Sequence, residues 1–95
     1  MIVTSIELAQ YELTKNEIDR CRDIYPFKVE YDYVDIDVYR PRFKKTFTQK
    51  IKVFKYNFET LYNTVERMAR TKQGVMSKRI LGKLEEMKEE LYYES

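Results

Sequence analysis

Helical periodicity is clearest in the carboxy-terminal third of the chain. Asn57 stands where a helix cap is needed, and the positions after it repeat with helical spacing. Apolar residues recur every three or four positions, at Phe58, Leu61, Tyr62, Val65, Met68 and Ala69. This spacing predicts an amphipathic helix over about residues 57–72.

A second helix is predicted after a short turn. The run Lys72-Gln73-Gly74 should end the first helix, because glycine readily takes the left-handed conformation of a helix stop. Ser77 can then cap a helix whose apolar face carries Ile80, Leu84, Met87 and Leu91. We therefore expect an antiparallel helical hairpin whose apolar stripes form core.

The middle of the chain has the pattern of β-strands. Residues 27–56 are rich in Val, Ile, Tyr, Phe and Thr, contain no glycine, and are interrupted only by Arg40-Pro41-Arg42. This predicts a long β-hairpin with its turn at about 41–44. The register pairs Val38 with Phe47 and Val34 with Ile51 on a buried side, and Asp35 with Lys50 and Asp37 with Thr48 outside. The apolar phase changes between Tyr33 and Val34, which predicts a bulge or a strong bend.

The amino-terminal segment allows two interpretations. Thr4 with Glu7, and Thr14 with Glu17, have capping-box spacing, which favours helices over about 5–12 and 15–24. Ile6 and Leu8 also alternate with their neighbours as in a first strand beside the hairpin. We predict the helix over 15–24 and leave residues 2–12 open.

Length and pattern together predict the fold class. A chain of 95 residues, 36% charged and 43% hydrophobic, supports a single soluble globular domain over residues 1–95. We expect an α+β fold in which a long, bent antiparallel hairpin packs against the carboxy-terminal helical hairpin, with a short amino-terminal helix. A strand from the open segment would make the sheet three-stranded.

Composition excludes most catalytic and cofactor chemistry. The chain has no histidine, a single cysteine, Cys21, and two glycines, which excludes histidine catalysis and metal sites, thiolate clusters, disulfides and glycine-rich phosphate loops. We therefore expect no metal and no cofactor. Cys21 is predicted to be a buried core thiol, and the presence of only one cysteine favours a reducing, cytoplasmic compartment. No apolar run approaches eighteen residues and no basic leader is present, so we expect neither a membrane span nor a signal peptide.

The first strand of the predicted hairpin carries several acidic residues, as the metal site of a nuclease would. Paired acids on it, followed by Glu-x-Lys or Gln-x-Lys on the next strand, could hold Mg²⁺. Gln49 is instead followed two positions later by Ile51, so the spacing fails. The change of phase also separates Glu30 and Asp32 from the later acids. We predict that the protein is not an enzyme.

The net charge of +2 conceals an uneven distribution. Residues 1–39 carry −5, residues 40–84 carry +11, and residues 85–95 carry −4. Cross-strand ion pairs can neutralise the strand lysines, each pair contributing about 0.2 to 1 kcal/mol. They do not reach the cations at the hairpin tip, which surround an aromatic: Arg40, Arg42, Phe43, Lys44 and Lys45.

Cations around an aromatic at an exposed tip are what a phosphate backbone and an unstacked base require. The leading hypothesis is a nucleic-acid-binding module that uses this tip, supported by Lys72, Lys78 and Arg79 around the helical turn. DNA and RNA both remain open. A solvated loop without a partner and a contact with an acidic protein are the alternatives.

Two further hypotheses belong to other classes. A composition rich in Lys, Glu, Ile and Tyr and poor in Ala suits a virus or mobile element of a low-GC host. Such a protein could bind a host protein through acidic residues that imitate nucleic acid, namely Asp35, Asp37, Glu89 and Glu90. A homo-oligomer with tyrosines at its contacts is the third hypothesis.

Overall fold

Three antiparallel strands and four helices make up the described part of the chain, residues 1–71 and 74–93, in a computed structural model. The strands lie in the order β1-β3-β2, and both neighbouring pairs are antiparallel. This confirms the predicted α+β class and the three-stranded form of the sheet. The elements are β1 Ile2–Thr4, α1 Ser5–Gln10, α2 Lys15–Ile24, β2 Glu30–Arg40, β3 Lys45–Asn57, α3 Phe58–Ala69 and α4 Gly74–Tyr93.

The amino-terminal segment forms a strand followed directly by a helix. Thr4 ends β1 and caps α1: the amide of Glu7 donates to the Thr4 hydroxyl at 3.2 Å, and the amide of Thr4 donates to the Glu7 carboxylate at 3.2 Å. The capping box therefore fixes where extended chain becomes helix. The strand lies at residues 2–4 and not around Ile6 and Leu8, which are helical. Thr14 caps α2 as predicted.

The two carboxy-terminal helices are antiparallel, as predicted. Asn57 caps α3 by accepting a hydrogen bond from the Thr60 amide at 3.0 Å. Tyr62, early in α3, donates its hydroxyl to Glu85, late in α4, at 3.2 Å, and the ammonium of Lys88 lies 5.2 Å from the centre of its ring. Since the start of one helix contacts the end of the other, the two run in opposite directions.

The predicted boundary between these helices is wrong. α3 ends at Ala69, and α4 already begins at Gly74, so this glycine opens a helix and does not end one. Ser77 is not a cap: it lies inside α4 and is fully buried, where a small side chain suits close packing. Lys72 and Gln73 lie outside the described residues.

The core joins the helices to the base of the sheet. It contains Val3, Leu8, Leu13, Ile18, Cys21, Tyr56, Phe58, Leu61, Val65, Met68, Ile80, Leu84 and Met87. Burial raises the pKa of the Cys21 thiol, and the nearby Glu17 carboxylate raises it further. We call the four helices, β1 and the adjoining ends of β2 and β3 the helical body.

The register of the hairpin is the predicted one. It runs without interruption from Glu30 opposite Lys55 to Arg40 opposite Lys45. Of the two predicted alternatives near Tyr33, the bulge is therefore wrong, and the strong bend stays a prediction. Tyr31 and Tyr33 are exposed, so the two halves of β2 need not present their apolar residues to one core.

The predicted burial of the outer hairpin is also wrong. Val34 is 41% exposed and Phe47 36% exposed, and neither packs against the core. Val53 is the buried residue of β3 nearest the tip, and eight residues of strand carry the chain about 27 Å further to Lys45. The radius of gyration, 15.8 Å, exceeds the roughly 12 Å of a compact chain of this length. We call residues 34–51 the arm.

Candidate nucleic-acid interface

The tip of the arm is a four-residue turn, Pro41 to Lys44. The Phe43 amide donates to the Arg40 carbonyl at 3.1 Å, and the Lys44 amide donates to the Pro41 carbonyl at 3.2 Å. Lys44 has a φ of 49°, in the left-handed region that glycine favours. A lysine thus occupies the turn position where a side chain is disfavoured by about 1 kcal/mol.

Aromatic and cationic side chains alternate around this turn. Phe43 is 61% exposed, and its ring meets that of Phe47 edge to face, with centroids 6.0 Å apart. The Arg42 guanidinium lies 5.9 Å from the centre of the Phe43 ring, and the Lys45 ammonium 5.7 Å from that of Phe47. The tip therefore offers an aromatic surface with cations held beside it.

The tip cations have no acidic partner within the described ranges. Arg40, Arg42, Lys44 and Lys45 are all exposed, and none lies within 4.0 Å of a carboxylate described by the structure. The chain has no acidic residue between Val38 and Thr48. The positive charge of the tip consequently faces solvent.

The acidic residues of β2 are engaged nearer the helical body. Lys55 forms an ion pair with Asp32, and the hydrogen bond between them raises the pKa of the lysine. Asp35 lies opposite Lys50 in the ladder, and Asp37 accepts a hydrogen bond from the Thr48 hydroxyl at 3.1 Å. Of these three carboxylates only Asp32 forms an ion pair, and none lies within 4.0 Å of a tip cation.

The structure does not join the predicted helical cations to the tip. Lys78 is exposed on α4, while Arg79 forms an ion pair with Glu17 of α2. Both lie on the helical body, with the tip about 27 Å beyond the last buried residue of β3. Lys72, the third of this group, lies outside the described residues.

The acidic residues of the alternative hypothesis also lie on separate elements. Asp35 and Asp37 are on the arm, whereas Glu89 and Glu90 are exposed on the last part of α4. Glu90 accepts a hydrogen bond from the Tyr11 hydroxyl. They do not form one acidic cluster.

Phe47 is the tip residue that the sequence pattern misplaced. Its alternation with Ile51 assigned it to a buried face, but it lies beside Phe43 and Lys45 at the exposed end of the arm. Phe47 lies six residues before Val53, the nearest buried residue of its strand. Since the burial of Val53 is known only from the structure, the sequence alone carried no signal that placed Phe47 at the exposed end.

The described residues offer neither a metal site nor a membrane-spanning helix. Among side chains of residues 1–71 and 74–93, no group of three or more carboxylates and cysteines is placed to hold a metal ion. No helix in those ranges is long and apolar enough to cross a membrane. Comparisons with protein-family models, curated proteins and solved structures found no match to the chain.

Proposed function

We propose that the protein is a non-enzymatic nucleic-acid-binding module whose binding surface is the tip of the arm. The observation that supports this most is the tip itself: four exposed cations without acidic partners among the described residues, arranged around Phe43 and Phe47. The helical body supplies a rigid base that holds this surface away from its own acidic residues.

Electrostatic attraction to phosphates carries most of the expected affinity. Each cation that neutralises a phosphate releases counterions, so binding weakens as salt rises. Four contacts to duplex DNA predict an affinity loss on the order of 100-fold between about 50 and 200 mM salt.

The shape of the arm supports contact with a groove or with unpaired bases. A two-stranded β-ribbon fits the major groove of B-DNA, which is about 12 Å wide. The major groove of duplex RNA is deep and narrow and does not admit such a ribbon. Phe43, exposed at the end of the turn, can stack on an unpaired base. We therefore expect duplex DNA or single strands to bind better than duplex RNA.

The helical cations take a secondary part in this proposal. Lys78 is exposed and can attract a phosphate electrostatically over a long distance. Lys72 is close to Lys78 in the sequence, near the turn between the two helices. Arg79 is already paired with Glu17, so its replacement should change binding less than that of a tip residue. The buried, reduced Cys21 suits a protein that works in a reducing intracellular compartment.

The test is fluorescence anisotropy with random-sequence single- and double-stranded DNA and RNA at low and moderate salt. Replacing Arg40, Arg42, Lys44 and Lys45 by alanine should abolish the salt-dependent part of binding, because phosphate contacts are removed. Phe43→Ala keeps every charge and should weaken single-strand binding with little change in the salt slope, since stacking is not ionic.

The control removes the same charge from the helical body and its junction with the arm. Arg20, Lys28, Arg70 and Lys88 are exposed and lie away from the tip, so their replacement by alanine gives the same net charge as the tip variant. We expect this control to bind almost as tightly as the original protein. Equal losses in both variants would assign binding to overall charge and contradict the proposal.

A protein that binds no nucleic acid at low salt would favour the host-protein hypothesis. Neutralising Asp35, Asp37, Glu89 and Glu90 should then abolish capture of the partner while the tip variant retains it. Under the present proposal the opposite holds, since the same acidic residues repel phosphate and their neutralisation should strengthen nucleic-acid binding.

A further inference from the structure

An open groove lies beside the tip of the arm. It has a volume of about 530 Å³ and is lined by Arg40, Phe43, Phe47, Thr48 and Gln49. Sites that hold small organic groups in proteins have volumes of about 300 to 1,000 Å³. The groove is therefore large enough to take a single nucleobase, and we call it the tip groove.

Two phenylalanine rings form an aromatic side of the tip groove. The rings of Phe43 and Phe47 meet edge to face with their centroids 6.0 Å apart, and neither residue belongs to the core. Exposed rings bind unpaired bases by stacking, because every base has a π-face. In a duplex those faces are covered by the neighbouring base pairs, so the tip groove suits a single strand.

Gln49 brings hydrogen-bonding groups to this otherwise apolar stretch of β3. Side chains alternate along a strand, so Gln49 lies on the same face as Phe47 and Ile51, and the register places it opposite Ile36. Gln49 is half-buried, and no hydrogen bond joins its side-chain amide to another described residue. The amide is therefore available to a ligand in the tip groove.

Positive charge lies around the tip groove. Arg40 lines it, and the charged groups of Arg42 and Lys45 lie 5.9 and 5.7 Å from the centres of the two rings. Asp37, the acidic residue nearest to the tip along β2, accepts a hydrogen bond from the Thr48 hydroxyl, and no described residue that lines the tip groove is acidic. The cations can therefore hold the phosphates on either side of a base.

Adenine is the base whose edge matches the Gln49 amide. A side-chain amide offers a donor and an acceptor next to each other. On the edge that faces the major groove in a duplex, adenine presents the N6 amino donor beside the N7 acceptor. The same edge of guanine has two acceptors, that of cytosine a single donor, and that of thymine an acceptor and a methyl group. Only adenine can therefore form two hydrogen bonds with the amide at this edge.

We propose that the tip groove binds one unpaired adenine of a single-stranded nucleic acid, with Phe43 and Phe47 against its ring. The Gln49 amide oxygen accepts a hydrogen bond from N6, and the amide nitrogen donates one to N7. The inference rests on the proposed function, since the tip cations supply the contacts to phosphate. Gln49 is then the specificity-determining residue of a surface that would otherwise bind any single strand.

Fluorescence anisotropy with four DNA heptamers tests the base preference. Each heptamer has three thymines on either side of a central adenine, cytosine, guanine or thymine. A bidentate contact predicts that the adenine heptamer binds about ten-fold more tightly than the thymine heptamer. Equal affinities for all four would overturn the inference. Tighter binding of the guanine heptamer would also contradict it, because Arg40 would then recognise guanine N7 and O6.

Gln49→Met tests the residue. Methionine keeps the length of the side chain and removes both hydrogen-bonding groups, so the preference for adenine should fall below about two-fold while the thymine heptamer binds as before. Thr46→Val, on the other face of the same strand, is the matched control and should leave the preference unchanged. An adenine preference that survives Gln49→Met would contradict the role of this residue.

A heptamer whose central adenine carries carbon in place of N7 tests the edge of the base. It keeps the ring and the N6 amino group but loses one of the two hydrogen bonds. The original protein should therefore bind it several-fold more weakly than the adenine heptamer, and the Gln49→Met variant should bind both equally. Equal binding of the two heptamers by the original protein would contradict the contact with N7.

Failure of the inference can be told apart from failure of the proposed function. Phe47→Ala removes one ring from the tip groove and should weaken all four heptamers about ten-fold with the salt slope unchanged. Salt-dependent binding of all four heptamers with equal affinity would contradict the inference alone. Absence of binding at low salt would contradict the proposed function, and the inference with it. Circular dichroism and thermal melting confirm that each variant is folded.

Discussion

In the helical body Leu61, Met68 and Leu84 are fully buried, whereas in the arm the apolar side chains of Val34 and Phe47 keep more than a third of their surface exposed. Both regions are equally rich in the residue types that form cores. The difference lies in what covers them: α2 and α4 contact α3, whereas no residue of the arm belongs to the core or packs against it. The buried residues that stabilise the fold and the exposed surface proposed to bind thus lie in different regions of one small chain.

Charge follows the same division. In the helical body Arg70 pairs with Glu66, Arg79 with Glu17, and Lys83 lies near Glu12 at 3.9 Å. At the tip, Arg42 and Lys45 lie beside aromatic rings, and none of the four cations lies within 4.0 Å of a described carboxylate. Exposed ion pairs contribute little stability, about 0 to 1 kcal/mol each, but they neutralise the surface. The tip of the arm, by contrast, keeps four exposed cations that have no acidic partner among the described residues.

The largest expected effect separates the two regions by stability. Leu61→Ala removes a fully buried side chain and should lower the free energy of unfolding by about 2 to 5 kcal/mol. Ile36→Ala, in the arm, should lower it by less than about 1.5 kcal/mol, because its side chain is only half-buried and outside the core. Urea denaturation of both variants measures the difference. Equal losses would mean that the arm belongs to the cooperative core.

Removing the arm should have the opposite effect, with loss of binding and little loss of stability. Tyr33 and Lys52 face each other in the ladder, so residues 34–51 can be replaced by a two-residue Asn-Gly turn. The helical body should keep its fold, with its thermal midpoint lowered by only a few degrees. Nucleic-acid binding should be lost entirely, since the tip is gone. Calorimetry and anisotropy on the same sample test both statements, and a body that unfolds would contradict the first.

An alkaline titration should act on the helical body. Burial raises the pKa of Cys21 above 9.0 and that of Tyr56 above 10.0, with the Asp19 charge adding to the effect on Tyr56. Both groups are neutral when protonated, so the folded state holds these protons more tightly than the unfolded state. Their stabilisation is complete below pH 9.0 and is lost as pH rises through the raised values.

The measurement is the free energy of unfolding from pH 8 to pH 11, and Tyr56→Phe is the informative variant. It removes the hydroxyl, and the fall in stability above pH 10.0 should become shallower. Cys21→Ala should do the same for the fall that begins near pH 9.0. A slope unchanged in both variants would show that other groups control the alkaline transition.

Local signals in the sequence predicted the elements well. The Asn57 and Thr14 caps, the capping box of Thr4 with Glu7 and the hairpin register depend on neighbours along the chain or directly across a turn, and all appear in the structure. The prediction at Gly74 was wrong because glycine occurs at both ends of helices: Gly74 begins α4, and Ser77 lies buried inside that helix.

Burial was less predictable than register. Alternation shows that Val34, Val38 and Phe47 share a face, but it does not show whether anything covers that face. The tip could be found from the sequence because its charges are contiguous. The exposure of this apolar face could not be predicted from the sequence, because it depends on where the helices end.

The smallest expected effect concerns the turn itself, where stability and binding should change in opposite directions. Lys44 has a positive φ, so Lys44→Gly relieves its backbone and should stabilise the arm by about 0.5 to 1 kcal/mol. The same change removes one phosphate contact and should lower the salt slope by about one.

Lys45→Gly is the matched control: it removes the same charge but lies in β3, where glycine destabilises by about 0.5 to 1 kcal/mol. Amide hydrogen exchange across the arm should therefore slow in the first variant and quicken in the second, while both bind more weakly. If Lys44→Gly slowed exchange without weakening binding, this lysine would be a strained turn residue with no contact to nucleic acid, and the binding surface would shrink to its neighbours.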